Sequence, residues 1–265
     1  MSLYWKDKKV LITGGSSGLG RNIAETFYLA GSEVCIVALE DNVHAVAQEI
    51  GGNVLPVQAN ITKQDDVEKI REAVEQRFGT LDVLVNSAGR SMRGKVLDTT
   101  PEQFQSLFEL NVLGTVRCTR TFAPMLLKNK GHIVNIGSLA AKSAARFVGA
   151  YPATKFAVAA YSQQLRLEHG AEGLHVLLVC PGPIERENER LYPLEGIEGI
   201  PDEARQAGGG VKVKKIKPDY LAKQILKYCE QRKPELVVPA KARLLFAVLQ
   251  LFPSLGDYLV KRNTP

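Results

Sequence analysis

The sequence predicts a single α/β domain, a doubly wound parallel sheet of about seven strands with helices on both faces. Three observations predict it. Short apolar runs rich in Val, Ile and Leu recur along the chain, as strands buried on both faces require. Segments with apolar residues at helical spacing separate them, as crossovers between parallel strands do. The first apolar run opens directly into a glycine-rich turn and then a helix. No internal repeat interrupts the alternation.

Residues 10–13 (VLIT) form the first strand. Gly14-Gly15-Ser16-Ser17-Gly18-Leu19-Gly20 follows, then a helix from Arg21 to Ala30. Strand, glycine turn and helix in that order make a dinucleotide fingerprint. The glycines let backbone approach a pyrophosphate, and the helix N-terminus offers it amide donors and positive potential. Gly31-Ser32 ends the helix, and residues 34–39 (VCIVAL) are the second strand. The end of that strand, Ala38-Leu39-Glu40-Asp41, is where an adenosine ribose is read. A helix over 42–50 stops at Gly51-Gly52, and Val54 to Gln58 is the third strand. Thr62 and Asp65 resemble a capping box for the next helix, whose buried stripe is Val67, Ile70, Val74 and Phe78.

Gly79 ends that helix, and the fourth strand, 81–85 (LDVLV), runs into Asn86-Ser87-Ala88-Gly89. Small residues at a strand's C-terminal end leave room for a ligand. After a loop over 90–99, Thr100 caps and Pro101 opens a long helix with Phe104, Phe108 and Asn111 on one face. An Asn on an apolar face needs a partner or a task. Residues 132–136 (HIVNI) are the fifth strand and lead to Ser138. The next helix runs from about Tyr151 to His169, with Pro152 in its first turn and small residues at Ala153, Ala157 and Ala160 that allow close packing. Residues 175–180 (HVLLVC) are the sixth strand, ending in Pro181-Gly182-Pro183-Ile184. A helix over 220–232 and a strand over 235–239 complete the sheet.

Composition narrows the possible functions. The net charge of +6 favours contact with anions but is too modest for 265 residues to indicate a nucleic-acid partner, and none is expected. Cys35, Cys118, Cys180 and Cys229 are widely spaced, and two lie inside strand runs, which reads as buried thiols in a reducing compartment. His44, His132, His169 and His175 have no metal-ligand spacing, so no metal is expected. No signal peptide and no run of about 18 apolar residues is seen, so a cytoplasmic protein without a transmembrane segment is expected.

Ser138, Tyr151 and Lys155 can do chemistry together. Tyr151 and Lys155 are four apart and share a helix face. A free tyrosine, with a pKa of about 10, is ionised to about one part in a thousand at neutral pH. A unit charge about 5 Å away, at an effective dielectric near 20, favours the phenolate by roughly 3 kcal/mol, or about two pKa units. That makes Tyr151 a usable acid or base near pH 7. A hydroxyl at Ser138 can hydrogen-bond a substrate oxygen. Taken alone, a Tyr-Lys pair at this spacing is an ordinary feature of helices.

The ordered series is more specific: Thr13-Gly14-(x)3-Gly18-x-Gly20, Asn86-Ser87-Ala88-Gly89, Asn111, Ser138, Tyr151-(x)3-Lys155 and Pro181-Gly182. On these motifs the chain resembles the short-chain dehydrogenase/reductase family over roughly residues 6–235. The resemblance implies a Rossmann fold over residues 1–265. Within it, residues 6–182 form the cofactor-binding and catalytic core, 183–217 a substrate loop, and 236–265 a C-terminal extension. It implies a nicotinamide cofactor and an Asn-Ser-Tyr-Lys tetrad: Asn111, Ser138, Tyr151 and Lys155. Tyr151 would be the general acid/base, and Ser138 would position the substrate oxygen. Lys155 would lower the Tyr151 pKa and hold the nicotinamide ribose. Asn111 would fix a helix kink and a proton-relaying water. The cofactor would contact Thr13, Gly14, Ser16, Ser17, Gly18, Leu19, Gly20, Ala38, Leu39, Glu40, Asn60, Ile61, Asn86, Ala88, Gly89, Tyr151, Lys155, Pro181, Gly182 and Ile184.

Five positions depart from the family pattern. Ser87 stands for the second Asn of Asn-Asn-Ala-Gly, Asn60 for an Asp, and Arg186 for the Thr of Pro-Gly-x-x-x-Thr. The NAD-selecting Asp aligns with Ala38, and the arginine common in NADP enzymes aligns with Leu39. Ala38 would not repel a 2′-phosphate, and Ser16 and Ser17 could donate to one, so NADP(H) is favoured over NAD(H). Glu40 or Asp41 reaching the ribose would reverse this.

The implied substrate is a small carbonyl or secondary alcohol. The implied assembly is a homodimer or homotetramer. The substrate loop is long and polar, with Glu185 to Arg190, Gly208-Gly209-Gly210, and Lys212, Lys214, Lys215 and Lys217. After it, Arg243 to Phe252 (RLLFAVLQLF) is a short, very apolar helix ended by Pro253. That tail could cap the substrate pocket, pack in a dimer interface, or lie on a membrane. It suggests a hydrophobic, lipid- or steroid-like substrate. A non-catalytic dinucleotide sensor or scaffold is the rival class. An epimerase or dehydratase on nucleotide sugars is another, with too few residues after Pro181 for its usual substrate domain.

Overall fold

The computed structural model describes residues 3–185, 199–211 and 213–265. Seven strands form one parallel sheet: β1 (Lys9–Thr13), β2 (Glu33–Ala38), β3 (Leu55–Gln58), β4 (Val83–Asn86), β5 (His132–Ile136), β6 (His175–Pro181) and β7 (Glu235–Val238). Their order is β3-β2-β1-β4-β5-β6-β7. The chain winds outward from β1 to β3, crosses back, and winds the other way from β4. The switch lies between β1 and β4, where Thr13 pairs with Asn86 at the strands' C-terminal ends. Open α/β sheets bind ligands in the crevice at that point.

Nine α-helices run among the described residues: α1 (Gly18–Leu29), α2 (Val43–Ile50), α3 (Gln64–Phe78), α4 (Pro101–Phe108), α5 (Gly114–Lys128), α6 (Tyr151–His169), α7 (Pro218–Glu230), α8 (Ala242–Leu251) and α9 (Pro253–Asn263). Strand side chains alternate between two cores, because successive residues face opposite sides of a sheet. Val10 and Ile12 pack with Ile23 and Phe27 of α1 and with Leu221 and Ile225 of α7. Leu11 packs on the other face with Val67, Ile70 and Val74 of α3 and with Cys118, Phe122 and Leu126 of α5. All four cysteines are free and buried, as their strand and helix positions suggest.

Three local expectations change. Thr62 does not cap α3, whose N-cap is Lys63 with no side-chain bond. Instead the Asn60 side chain accepts from the Thr62 amide and hydroxyl at 3.0 and 2.8 Å, and Asp66 accepts from the Asn60 amide at 3.0 Å. An Asx turn thus opens this helix two residues earlier than the expected cap. Thr100 does cap α4, in a full capping box with Gln103. The long helix it opens is interrupted by a π-turn over Glu109–Leu113, which separates α4 from α5. After Pro253 the chain forms a second helix, α9, packed back on α8 through Gly256, where a Cβ would lie 2.7 Å from the Leu249 Cα.

Candidate active site

The crevice is built from backbone that tolerates little change. Gly14 has φ +67°, a left-handed conformation, and a Cβ there would lie 2.9 Å from the Ala88 Cα. A Cβ on Gly20 would lie 2.1 Å from the Gly14 carbonyl oxygen. The turn therefore closes tightly onto the first turn of α1, as a pyrophosphate-binding turn must. The Thr13 hydroxyl accepts from the Ser87 and Ala88 amides at 3.1 and 3.2 Å. It thereby joins the end of β1 to the Asn86–Gly89 turn across the switch point. Ser16 is buried, whereas Ser17 and Gly18 are exposed.

Other expected cofactor residues meet different fates. Ala38 is buried at the end of β2, and Leu39 and Glu40 are exposed just beyond it. The Asn60 carbonyl oxygen is spent on the α3 turn, and the Ile61 side chain lies in the core against Gly114. The Asn86 side chain turns inward and donates to Asn135 at 2.9 Å and Thr119 at 3.2 Å. Asn135 in turn donates to Ser162 at 2.9 Å. This buried polar chain pins β4, β5, α5 and α6 to one another, and the Asn-Ser change leaves its Asn86 member in place. Gly182 donates its amide to the Val238 carbonyl at 2.8 Å, and Pro181 ends β6 beside it. Ile184 packs against the core and pairs with Ile216. Arg186 to Arg190 and Lys212 lie outside the described residues.

The tetrad candidates converge from three elements. Ser138 follows β5, and its hydroxyl accepts from the Ala140 amide at 3.1 Å. Tyr151 begins α6 and is half-buried. One turn on, Lys155 is buried, with Nζ 5.7 Å from the centre of the Tyr151 ring. Its ammonium donates to the Ile136 carbonyl at 2.8 Å, two residues before Ser138. Burial lowers the Lys155 pKa to about 8. That is still above 7, so most molecules carry the charge at neutral pH.

Asn111 lies at the centre of the π-turn and is buried. Its side chain accepts from the Arg90 amide and donates to the Arg90 carbonyl, both at 2.9 Å, and donates to the Thr154 hydroxyl at 3.1 Å. Thr154 donates to the Tyr151 carbonyl at 2.7 Å. The Asn on the apolar face therefore has partners, and they tie the π-turn to the first turn of α6. Gly89 lies over this junction: a Cβ would come 2.9 Å from Asn111 Oδ1 and 3.9 Å from Lys155 Nζ.

Two residues escaped the sequence reading. Thr154 carried no signal beyond its place between Tyr151 and Lys155. Arg93 lay in a segment read only as a loop. It is buried, and its guanidinium donates to the Ala204 carbonyl at 2.6 Å, the Gln206 carbonyl at 2.7 Å and the Met92 carbonyl at 2.7 Å. Ala204 and Gln206 lie in the segment between β6 and α7, so Arg93 latches that segment to the body. Hydrogen bonds from a charged group are worth roughly 1.5–3 kcal/mol each. Arg93→Ala should therefore raise the rate of proteolytic cleavage within residues 199–211 more than about tenfold, while the core resists as before. An unchanged cleavage rate would mean that the loop is held by other contacts.

The chain's similarities agree with this geometry. The family model described as short chain dehydrogenase matches residues 8–192. Dehydrogenase/reductase SDR family member 7B of Danio rerio is 32% identical over 247 residues, covering 88% of this chain and 77% of that protein. An uncharacterized oxidoreductase of Staphylococcus epidermidis is 32% identical over 182 residues, covering 68% of this chain and 79% of its own. The crystal structure of a short-chain dehydrogenase from Streptomyces avermitilis superposes with TM-score 0.78 at 28% identity, covering 98% of this chain and all of the other. A short chain dehydrogenase/reductase from Burkholderia phymatum, solved in complex with NAD, shares the fold with TM-score 0.80 at 22% identity, covering 93% of this chain and 95% of its own. With most of its length matched by that family model and the glycine turn, switch-point crevice and Tyr-Lys turn in place, the chain belongs to the short-chain dehydrogenase/reductase family and is an oxidoreductase that uses a nicotinamide cofactor.

Proposed function

We propose that the protein interconverts a carbonyl and the corresponding secondary alcohol, with Tyr151 moving the proton. The observation that carries this is the placement of Tyr151 and Lys155 one turn apart, with Lys155 bonded to the strand end that leads to Ser138. When bound, the nicotinamide supplies or accepts the hydride. The Ser138 hydroxyl donates to the substrate oxygen and orients it. In the reductive direction Tyr151 donates its phenolic proton to that oxygen, and in the oxidative direction it takes the proton back. The buried Lys155 ammonium favours the phenolate left on Tyr151. Asn111 acts through Thr154, holding the first turn of α6 against the π-turn. Backbone of Gly14 to Gly20 and the α1 N-terminus hold the pyrophosphate, and Ala88 and Gly89 line the crevice beside it.

NADP(H) is the preferred cofactor in this reading. Ala38 ends β2 without a carboxylate, which leaves the adenosine ribose site free of the charge that would repel a 2′-phosphate. Ser16 and Ser17 supply hydroxyls nearby. A hydrophobic carbonyl compound is the proposed substrate class, and the cytoplasm, free or at a membrane surface, is the proposed location. A homodimer or homotetramer is proposed through α6, whose exposed Ala153, Phe156 and Ala160 share one face.

Titration of the purified protein with NADPH and NADH, followed by turnover on long- and short-chain ketones, tests this. NADPH should bind at least about tenfold more tightly, and Ala38→Asp should reverse the order, since an Asp beside a 2′-phosphate is repulsive. Tighter NADH binding by the wild type would mean that Glu40 or Asp41 reaches the ribose. Binding of neither would leave a scaffold rather than an enzyme. Equal turnover on long and short ketones would remove the hydrophobic-substrate reading.

A further inference from the structure

The α8–α9 hairpin carries apolar surface that the fold does not use. Its base is anchored, since Ala242 and Phe246 pack against a core cluster that includes Leu178, Cys180 and Val237. Its far end returns to the body, where Arg146 donates to the Thr264 carbonyl at 3.1 Å. No residue of α8 is fully buried. Toward the turn between the helices, Leu251 is 72% exposed, Phe252 61% and Leu255 51%, with Leu244 and Tyr258 exposed on the flanks. Contiguous exposed apolar surface of this kind marks an interaction site.

The charges around it say what it meets. From Leu244 to Val260 the one charged residue is Asp257. Lys241 and Arg243 stand at the start of α8, and Lys261 and Arg262 at the end of α9. All four are exposed. Arg243 is held by Glu235, donating to its carbonyl at 3.1 Å with a carboxylate oxygen 3.8 Å away, so Lys241, Lys261 and Arg262 are the cations that the outer ends of the two helices present. The apolar turn lies about 15 Å from the start of α8, the length of ten helical residues. A second copy packed on the same face would bring two such sets of cations together, with one Asp257 from each chain to offset Lys241, Lys261 and Arg262. An anionic surface offsets them without that repulsion.

We propose that the α8–α9 hairpin docks the protein on an anionic lipid surface. Leu251, Phe252 and Leu255 enter the headgroup–acyl boundary, and Lys241, Lys261 and Arg262 contact the headgroups. The inference does not depend on the reaction proposed above. α8 begins where β7 ends, at the C-terminal edge of the sheet, so docking brings that edge toward the bilayer.

Flotation of the full chain with phosphatidylserine/phosphatidylcholine vesicles and with pure phosphatidylcholine vesicles tests it. Binding should be at least tenfold stronger to the anionic vesicles and should weaken with added salt. The L251D/F252D double variant should bind at least tenfold more weakly, while nicotinamide nucleotide binding shows that it remains folded. A second measurement uses Phe252→Trp. The natural Trp5 is buried, so a blue shift on adding anionic vesicles would report entry of the hairpin turn. Absence of vesicle binding, equal binding by the double variant, or no shift in Phe252→Trp would each overturn the proposal. So would a dimer in sedimentation that L251D/F252D dissociates while vesicle binding is absent, which would assign the face to a second copy.

Discussion

Replacing Tyr151 with phenylalanine should lower kcat by about 10²–10⁴-fold, the usual contribution of a positioned acid or base, and leave nucleotide binding within about threefold of the wild type. The substitution removes one oxygen from a half-buried side chain and leaves the ring in place beside Lys155. The backbone of α6 should not respond, because Thr154 bonds to the carbonyl of residue 151 and not to its hydroxyl. Steady-state turnover and a fluorescence titration separate the two effects. A loss of both turnover and nucleotide binding would instead mean that the hydroxyl builds the site. Turnover near the wild-type rate would remove Tyr151 from the mechanism.

The second large effect is on stability and lies at the opposite end of the sheet. His132 and His175, at the starts of β5 and β6, face each other with Nδ1 atoms 2.9 Å apart. His175 Nε2 lies 2.8 Å from the Lys233 carbonyl, which can only accept, so that nitrogen carries a proton. In neutral rings His175 Nδ1 then accepts, His132 Nδ1 donates, and His132 Nε2 accepts from the Tyr4 hydroxyl at 2.8 Å. One set of neutral tautomers satisfies all four ring nitrogens, and burial is what resists a further proton on either ring.

Burial holds the His132 pKa well below the usual histidine value, and His175, Arg232 and Lys8 push it further. Burial does the same for His175, aided by Arg232 and Arg166 and opposed by the bond to the Lys233 carbonyl. Trp5 and Cys229 complete the surroundings, and the cysteine is a neutral thiol there because burial raises its pKa. The unfolded chain takes up protons at both histidines as pH falls through about 6.5, and the folded chain does not. Stability is therefore full above that value and falls below it, by about 1.4 kcal/mol per pH unit for each histidine. Against a typical 5–15 kcal/mol, the pair makes pH 5 markedly less safe than pH 7.5. Urea denaturation across that range should show the loss, and His175→Gln, which can still donate to the Lys233 carbonyl, should reduce the slope by about half. A flat profile for the wild type would mean that the pair takes up protons without cost.

Much of this molecule was legible in the chain. The α6 boundaries follow from Pro152 in the first turn and the periodic stripe after it. Gly14 and Gly20 were legible from the glycine-rich turn between a strand and a helix, and the structure shows the reason for the latter: a Cβ on Gly20 would lie 2.1 Å from the Gly14 carbonyl oxygen. The α3 start was misread because Thr62 and Asp65 have capping spacing. Asn60 sits closer to the turn and takes the Thr62 hydroxyl for itself. Arg93 was invisible because its partners are carbonyls more than a hundred residues away, and a carbonyl has no sequence signature. His132 and His175 had no meaningful spacing either. Only the pairing of β5 with β6 puts them opposite each other.

Local and periodic signals were enough for the strand-helix alternation, the glycine turn and the Tyr-Lys face, because each depends on neighbours within a few residues. The rest needed distant segments to meet. The switch point between β1 and β4, the clamp from Asn111 through Thr154 to Tyr151 and the latch from Arg93 to the segment between β6 and α7 are such contacts. So is the fold of the tail into a hairpin with an apolar turn. Apolar residues in a sequence report only that they avoid water, and packing decides which of them are covered. In α8, Ala242 and Phe246 found the core and Leu251 did not.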